Sequence, residues 1–418
     1  MPKLRLADNY APPSKSEAEK AREVMEWISP QDFSSKFGEL RDDVVCGTGQ
    51  WFLQSEEYKA WKRKDKKYLW VSGKPGAGKS FLSTIVIDDL KKSEKLPVAF
   101  LYLSYQHAPS VKDLLGNLAS QLIAQRINSS EMPDLVRALW ESEQNKSKAF
   151  QHAPEFSILE DLFSALVTDY TYLIVDALDE FDSSQRQNLL FRLKGIQNAS
   201  LLVTSRNKKA NGFEARDVIA NENDIKNYID RAINLSDLSN RVDEDGTLRE
   251  EIKLIVTKKA DGVFLLPRLH IAALATYHTP GEVRKALKNL PHDRNSTYES
   301  TLERISTQGE MGHWAMTAMS WIFHAQEPLQ VDELQHALLI GGAIGEPLQA
   351  GDARFSHGDL LSKEAILACC CGLVEVKLNP HSRDTFRFIH YSVQEFFTAR
   401  KERPFPNFHA HISLACAK

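Results

Sequence analysis

The sequence contains a glycine-rich loop of the kind that binds phosphate. Residues 73–80 read GKPGAGKS and fit the pattern GxxxxGK[ST], between an apolar run and a helical stretch. Glycines allow positive φ angles and a close backbone approach, so successive amide N–H groups can point into one concavity. Lys79 would bring a positive charge to the β- and γ-phosphates, and the Ser80 hydroxyl is a hard oxygen ligand for Mg²⁺. The residues predicted to bind the nucleotide here are Gly73, Lys74, Pro75, Gly76, Ala77, Gly78, Lys79, Ser80 and Phe81.

A second motif places acids at the end of an apolar run. Residues 173–180 read LIVDALDE. In open α/β sheets, ligands bind outside the carboxyl ends of the strands, so Asp176 is predicted to hold Mg²⁺ directly or through water. Asp179 or Glu180 could orient or deprotonate an attacking water, and with Lys79 they are the catalytic candidates. Capping of the following helix is the alternative role of the two acids, and it does not exclude catalysis.

A third candidate follows the next apolar run. Residues 201–204 are apolar up to a threonine, and Arg206 comes two residues later. An arginine at the tip of a strand beside the phosphate strand could reach a γ-phosphate and report its presence. The alternative is a solvated loop arginine.

These motifs lie within a regular alternation of short apolar runs and amphipathic stretches. Short apolar strands separated by helices indicate a parallel sheet covered by helices on both faces. Residues 41–234 are therefore predicted to form one α/β domain of the P-loop NTPase type. The predicted strands are residues 68–72, 98–105, 172–176 and 201–204, with a fifth at 218–220.

Strand signals nearly vanish after this domain. Residues 235–308 read as successive helices and predict an all-helical domain. Residues 309–405 continue with helices and close with two extended runs and a last helix, which suggests a winged-helix domain. Residues 1–40 are predicted to be a disordered lead with an N-terminal helix, and residues 406–418 a tail.

The composition excludes several classes of protein. With 42% hydrophobic and 26% charged residues, the chain is neither disordered nor fibrous. A net charge of −4 gives no overall positive field, so nucleic acid is not expected as a partner. Five cysteines without CxxC spacing predict neither a disulfide scaffold nor a structural zinc site. Without a bilayer-length apolar stretch or a signal peptide, a cytoplasmic location is expected.

With these residues in view, the chain resembles the NACHT class of STAND nucleotide triphosphatases. The resemblance is to the form found in fungal NLR-like receptors, and the N-terminal half is similar to the nephrocystin-type NACHT-like domain. It rests on GTGQWFL at residues 47–53, on the phosphate loop, and on DALDE at residues 176–180. It extends over about residues 40–400.

The resemblance implies ATP or ADP with Mg²⁺ as the bound ligands. It places residues 47–49 near the adenine and wraps residues 73–80 around the phosphates. It makes Asp176 the magnesium acid and Arg206 the arginine that senses the γ-phosphate.

The resemblance also assigns roles to the second half of the chain. Residues 235–300 would pack over the nucleotide, and residues 262–267 are similar to the element in which a proline, here Pro267, meets the base. His390 fits the histidine that touches the β-phosphate of ADP and holds the closed state, although Tyr391 follows it where the family has aspartate. A satisfied core histidine is the alternative for His390.

The resulting hypothesis is a nucleotide-operated switch. ADP would hold a closed state, ATP would favour an open state that self-associates, and slow hydrolysis would reset the switch. A role in signalling or innate-immunity-like responses would need an effector partner that the sequence does not identify. Such receptors carry an effector domain before the ATPase and repeats after it, so the chain is expected to be a piece of one or a short form.

Three other functions stay open at this stage. One is a P-loop ATPase with a winged helix that nucleic acid stimulates, and another is a nucleotide-bound scaffold that does not hydrolyse ATP. A small-molecule kinase ranks last, because it needs an arginine-rich lid and residues 106–154 contain only Arg126 and Arg137.

Overall fold

The structure is a computed structural model of the 418-residue chain. It describes residues 17–29, 35–94, 96–104, 109–127, 134–145, 154–167, 169–207, 211–341, 360–377 and 383–400. The first 16 residues of the predicted lead and the whole of the predicted tail lie outside this description. No helix in the described ranges has the length and apolar character needed to cross a membrane.

A five-stranded parallel sheet forms the centre of the first half. Its order is β2-β3-β4-β1-β5, and all neighbouring strands run parallel. The first four strands are continuous apolar runs with nearly every residue buried, as strands covered on both faces must be. The predicted α/β fold is therefore confirmed. The strands are β1 (Tyr68–Ser72), β2 (Val98–Tyr102), β3 (Thr171–Asp176), β4 (Ala199–Ser205) and β5 (Glu214–Asp217).

Helices cover both faces of this sheet. On one face, Leu101, Val175 and Val203 pack against residues from α1, α6, α8 and α9, and on the other, Phe100 and Ile174 pack against α4 and α5. The helices of this part, which together with the sheet we call the sheet region, are α1 (Glu17–Ile28), α2 (Ser35–Asp43), α3 (Gln50–Leu53), α4 (Glu56–Lys62), α5 (Lys79–Ser93), α6 (Val111–Ile127), α7 (Asp134–Asn145), α8 (Phe156–Leu166) and α9 (Arg186–Gly195). The next helix, α10 (Glu222–Asn234), packs in the core of the helices that follow it.

The position of the fifth strand corrects the sequence prediction. The strand is Glu214–Asp217 (sequence EARD), and the apolar residues 218–220 follow it. Strand β5 lies at the sheet edge and pairs only with β1 within the described sheet, so charged side chains can stay partly exposed. Val218 is buried because it continues past the strand against the phosphate loop, and its N–H donates to Ser72 O at 2.7 Å.

The second half is helical and ends in a small antiparallel sheet. Helices α10 to α14 share one core and form what we call the helical region, and α15 with the remaining elements forms the C-terminal module. The helices are α11 (Leu238–Glu244), α12 (Leu248–Lys259), α13 (Leu265–Leu274), α14 (Pro280–Lys288), α15 (Arg294–Ser306), α16 (Glu310–His324), α17 (Val331–Gly341), α18 (Lys363–Cys369) and α19 (Tyr391–Ala399). The strands are β6 (Leu329–Gln330), β7 (Val374–Lys377) and β8 (Thr385–Phe388).

The C-terminal module has one strand more than the predicted two-stranded hairpin. Strand β6 adds to β8 on the side opposite β7, giving the order β6-β8-β7. Two residues are too few for a periodic pattern, so the sequence gives no sign of this strand. The predicted domain boundaries at residues 234, 308 and 405 stay predictions.

Helix α13 connects the helical region to the C-terminal module. Its residues Ile271 and Leu274 belong to the core of the helical region. Leu265, Leu266 and Leu269 instead join the core of the C-terminal module. The two parts therefore share a helix across their cores, which makes their packing mutually dependent.

Helices α1 and α6 pack closely at Gly116, which gives a test of the fold. A Cβ at this position would lie 2.3 Å from the carbonyl oxygen of Ile28, so Gly116→Ala should destabilise the chain by about 1–3 kcal/mol. Gly38 in α2 has nothing within 4 Å of its missing Cβ, so Gly38→Ala should be neutral or stabilising by up to about 1 kcal/mol. Urea unfolding of the two variants measures the difference, and equal midpoints would contradict the packing of α1 on α6.

Candidate nucleotide-binding site

The phosphate loop, residues 73–80, joins the carboxyl end of β1 to the start of α5. Gly76 and Gly78 have φ angles of 81° and 91°, which are strained for any residue with a side chain. Helix α5 begins at Lys79 and is 15 residues long, so its free N–H groups and dipole face the loop. This is the strand–loop–helix context that the motif requires.

The Lys79 side chain folds back over this loop. It is 9% exposed, and its Nζ donates to the carbonyl oxygens of Gly73 and Lys74 at 2.9 and 3.1 Å. Burial lowers the pKa of Lys79, while the neighbouring carboxylates oppose that shift. An ammonium with three donors can keep one loop carbonyl and still bind a phosphate oxygen.

Asp176 is completely buried at the end of β3 and accepts three hydroxyl hydrogen bonds. Ser80 donates to it at 2.6 Å, Ser83 at 2.8 Å and Thr204 at 2.7 Å. Because β4 lies between β1 and β3, Thr204 and Arg206 lie at the same sheet edge as the phosphate loop and this acid. Ser83 and Thr204 were not predicted. Ser83 lies one helical turn after Ser80, and that spacing could have indicated a shared face.

The predicted magnesium ligands Ser80 and Asp176 are thus adjacent, 2.6 Å apart. Within the described ranges, no group of three or more His, Cys, Asp or Glu side chains is arranged to hold a metal. A hydroxyl and one carboxylate suit Mg²⁺, which keeps several waters and takes further oxygens from substrate phosphates. The residues therefore fit Mg²⁺ held jointly with a nucleotide.

Arg206 connects the acids of the DALDE motif to the C-terminal module. Asp179 accepts hydrogen bonds from the backbone N–H of Arg206, at 2.8 Å, and from its Nε. The other arm of the guanidinium donates to Glu395 of α19 at 2.5 Å. Burial would lower the pKa of Arg206, but the hydrogen bonds to Glu395 and Asp179 outweigh it and raise the pKa. Glu395 was not predicted to reach the site.

The two acids that follow Asp176 have opposite electrostatic environments. Burial tends to raise the pKa of Asp179, but the hydrogen bonds from Arg206 outweigh burial and lower it. Burial raises the pKa of Glu180 to about 7, although the positive charge of Lys36 partly opposes the shift. Asp179 is therefore committed to Arg206, and Glu180 is the acid suited to proton exchange near neutral pH.

His390 caps the N-terminus of α19. Its Nδ1 accepts the backbone N–H of Ser392 at 3.0 Å, so the neutral ring carries its proton on Nε2. Burial lowers the pKa of His390 to about 3, and four nearby cations add to the effect: Lys79, Arg294, Lys36 and Arg206. The ring is thus a neutral donor at pH 7. Its predicted contact with a β-phosphate stays a prediction.

The glycine-rich segment before the loop is fixed beside α5. Gly47 and Gly49 have φ angles of 82° and 74°. The backbone N–H of Gly49 and the Nε1 of Trp51 both donate to Asp224 of α10, each at 2.9 Å. A Cβ on Gly49 would lie 2.6 Å from Ile85 of α5. Asp224 was not predicted, because a contact 175 residues away in the chain leaves no local signal.

The helical region contacts the phosphate loop through Phe264. Its backbone N–H donates to Gly76 O at 2.8 Å, and its ring would lie 3.1 Å from a Cβ on Gly78. Pro267, the residue predicted to meet the base, is buried in the first turn of α13. Val263, Phe264 and Leu265 thus contact the loop at Gly76 and Gly78, and the contact of Pro267 with the base stays a prediction.

The remaining predicted residues hold or flank the loop. Ala77 is buried and donates from its N–H to Lys74 O at 3.1 Å, and Pro75 is half-buried. The Lys74 ammonium points outward to Asp261 at 2.8 Å. Phe81 is 38% exposed on the first turn of α5, so it has room to contact a ligand.

The sheet order, the glycine loop at β1 and the acid at β3 together define a P-loop NTPase. Comparison with known proteins agrees. The family described as the N-terminal part of nephrocystin 3 matches residues 47–206. A curated relative, vegetative incompatibility protein HET-E-1 from Podospora anserina, is 24% identical over 382 residues, which cover 86% of this chain and 26% of that protein. The matched segment contains both the phosphate loop and the DALDE acids, so the chain is a P-loop NTPase that is similar to the NACHT-type members of the STAND class over these residues.

Solved structures give weaker likenesses. A STAND protein with a tetratricopeptide repeat sensor from Pyrococcus horikoshii is 12% identical, with a TM-score of 0.45 over 85% of this chain and 44% of that one. Cdc6p from Pyrobaculum aerophilum is 14% identical, with a TM-score of 0.34 over 94% and 97% of the two chains. Neither score reaches 0.5, so neither likeness adds to the assignment.

Glu180 predicts a pH dependence of stability. Its pKa rises from 4.5 to about 7, so the folded chain keeps a proton that the unfolded chain loses, and stability falls as pH rises through about 7. Glu180→Gln removes this ionisation. The variant should be more stable than the wild type at pH 8, and the difference should shrink at pH 5. Thermal unfolding at both pH values measures this effect.

The exposed Glu303 provides the matched control for this experiment. Glu303→Gln should change stability little at either pH. Equal stability of Glu180→Gln and the wild type at pH 8 would contradict the assigned environment of Glu180.

Proposed function

We propose that the chain is an ATP- and ADP-binding switch in which the terminal phosphate decides whether the C-terminal module stays against the sheet region. The observation that carries this proposal is the hydrogen bond between Arg206 and Glu395. It joins the arginine at the γ-phosphate end of the site to a helix 189 residues further along the chain.

Arg206 has the donors for an exchange of partners. A guanidinium carries five N–H donors in a planar fork, so Arg206 can keep Asp179 while it exchanges Glu395 for a phosphate oxygen. A terminal phosphate offers more negative charge than one carboxylate and forms bidentate pairs with arginine. ATP would therefore weaken the contact with α19, and ADP, which lacks that phosphate, would leave it intact.

Further contacts fix α19 and the strands of the C-terminal module in place. Arg268 of α13 pairs with Glu375 of β7 at 2.8 Å, and the hydroxyls of Tyr298 and Ser392 lie 2.8 Å apart. Ser392 is also the residue that His390 caps, next to the cations of the site. A neutral His390 could donate from Nε2 to an ADP phosphate and so hold α19 in place.

Slow ATP hydrolysis is the proposed reset. The loop amides and Lys79 would hold the phosphates, and Glu180 would accept the proton of the attacking water. Mg²⁺ held by Ser80 and Asp176 supplies charge neutralisation at the phosphate oxygens when it is bound. Because Asp179 accepts two hydrogen bonds from Arg206, the geometry supports Glu180 as the base.

Opening would uncover the face between the C-terminal module and the sheet region. We propose that this face supports self-association in the ATP state, and that the chain acts in intracellular signalling with an effector partner still to be identified. HET-E-1 supports this reading through its name as a vegetative incompatibility protein, although the matched residues are 26% of that protein.

Lys79→Ala tests the phosphate site. Loss of a charged hydrogen-bond donor should weaken both ATP and ADP by about tenfold to a hundredfold, as measured by calorimetry on the folded chain. Lys74→Ala is the control from the same loop, because its ammonium points to Asp261. The control should bind nearly as the wild type does. Unchanged affinity in Lys79→Ala would refute the assignment of the loop.

Glu395→Gln tests the link to the C-terminal module. Releasing one arm of Arg206 should tighten ATP by about fivefold, leave ADP nearly unchanged, and lower the ATP concentration needed for self-association. Calorimetry and light scattering report the two effects. Glu299→Gln, which removes a surface pair with Arg400 at 3.2 Å, is the control. Identical ATP affinity in Glu395→Gln and the wild type would count against the switch.

A further inference from the structure

Helix α2 lies against the nucleotide site although it precedes residues 47–206, the part matched by the family. The ring of Phe37 packs on Phe100 of β2 with 5.0 Å between centroids. At the other end of the helix, Arg41 pairs with Asp88 of α5 at 3.2 Å. The helix is therefore held at two points on the sheet region, one of them on the helix that starts at the phosphate loop.

This seating brings Lys36 to the carboxyl edge of the sheet. Its Nζ lies 5.9 Å from the ring centroid of Tyr102, and Tyr102 is the register partner of Asp176. Among the described residues, no hydrogen bond or ion pair engages the Lys36 ammonium, which lies near the face of the Tyr102 ring. Lys79 and Arg206, by contrast, are both hydrogen-bonded within the site.

The sheet order shows which end of the nucleotide Lys36 would meet. The segment at Gly49 is held by α10, which follows the edge strand β5. Lys36 lies near the end of β2, the edge strand on the opposite side of the sheet. A nucleotide whose base lies beside Gly49 and whose phosphates follow the loop would therefore direct its last phosphate toward Glu180 and Lys36.

The charges around the site agree with this placement. Of the charged groups that act on the Glu180 carboxyl, Lys36 has the largest effect, ahead of its chain neighbour Asp179. Lys36, Lys79 and Arg206 all act on His390 as well. Three cations that act on one histidine ring in a chain of net charge −4 indicate a ligand with several negative charges.

We propose that Lys36 is a ligand of the terminal phosphate and discriminates ATP from ADP. This inference rests on the proposed nucleotide site and adds to it a cation from outside the matched family segment. A lysine ammonium is a compact charge on a flexible stem, so it can leave the Tyr102 face for a phosphate oxygen. ADP ends one phosphate earlier and offers Lys36 no partner.

Helix α2 would also carry this contact to the C-terminal module. Glu39, one turn after Lys36, pairs with Lys377 of β7 at 3.3 Å and with Arg387 of β8 at 3.8 Å. Helix α2 thus carries both Lys36, the proposed phosphate ligand, and Glu39, which contacts the C-terminal module. In the proposed switch, opening would break the contact of Glu39.

The test compares ATP and ADP in calorimetric titrations of the full chain with Mg²⁺. Lys36→Met keeps the length of the side chain and removes the charge, and it should weaken ATP by about tenfold and ADP by less than about twofold. Lys36→Arg restores the charge and should stay within about threefold of the wild type for ATP. Arg41→Met loosens the same helix at Asp88 and should not change the ratio of the two affinities.

An equal loss of ATP and ADP affinity in Lys36→Met, or no loss at all, would overturn the role of Lys36. Lys79→Ala in the same series separates this result from the proposed function. If the wild type binds both nucleotides and Lys79→Ala loses them, the phosphate site stands and Lys36→Met decides the question of Lys36 alone. A wild-type chain that binds neither nucleotide would overturn both proposals.

Discussion

The buried carboxylate of Asp176 is the constraint on which the rest of the site depends. A carboxylate with no exposure is costly unless hydrogen bonds replace its water, and here Ser80, Ser83 and Thr204 supply three. These bonds tie α5, β3 and β4 together at one sheet edge. The phosphate loop therefore has a fixed position relative to Arg206 at the end of β4. Without that rigid frame, a difference of one phosphate could not be converted into a movement.

The parts that cover the site make polar contacts with the site's own residues. Phe264 donates to Gly76 of the loop, and Glu395 accepts from Arg206. Contacts of this kind can be replaced one for one by phosphate oxygens or water, whereas the apolar core shared through α13 cannot. The structure thus combines a durable hinge between the helical region and the C-terminal module with a replaceable contact at the nucleotide. This combination agrees with the proposed nucleotide-dependent switch.

The sequence predicted the elements whose residues are buried on both sides. Strand β3 is an unbroken apolar run ending in an acid, and the loop glycines must take positive φ, so both left a clear local signal. Strand β5 was misplaced because an edge strand with the sequence EARD carries no apolar pattern. Strand β6 was missed because it has two residues.

The partners of the site residues likewise could be predicted only where they are close in sequence. The phosphate loop and the acids of DALDE follow from spacing, because neighbouring residues form them. Asp224 and Glu395 reach the site from 175 and 189 residues away, and such contacts exist only after the chain has folded. Lys36 lies in a polar segment with no motif at all. The charged residues that reach the site from distant parts of the sequence could therefore be identified only from the structure.

The bound ligand of the wild-type chain tests the central claim most directly. Native mass spectrometry of chain purified without added nucleotide, and again after incubation with ADP and Mg²⁺, measures the mass held by the fold. We expect one adenine nucleotide per chain, with ADP the form retained most tightly. A folded chain that carries no nucleotide in either sample would contradict the claim that residues 73–80 grip a polyphosphate.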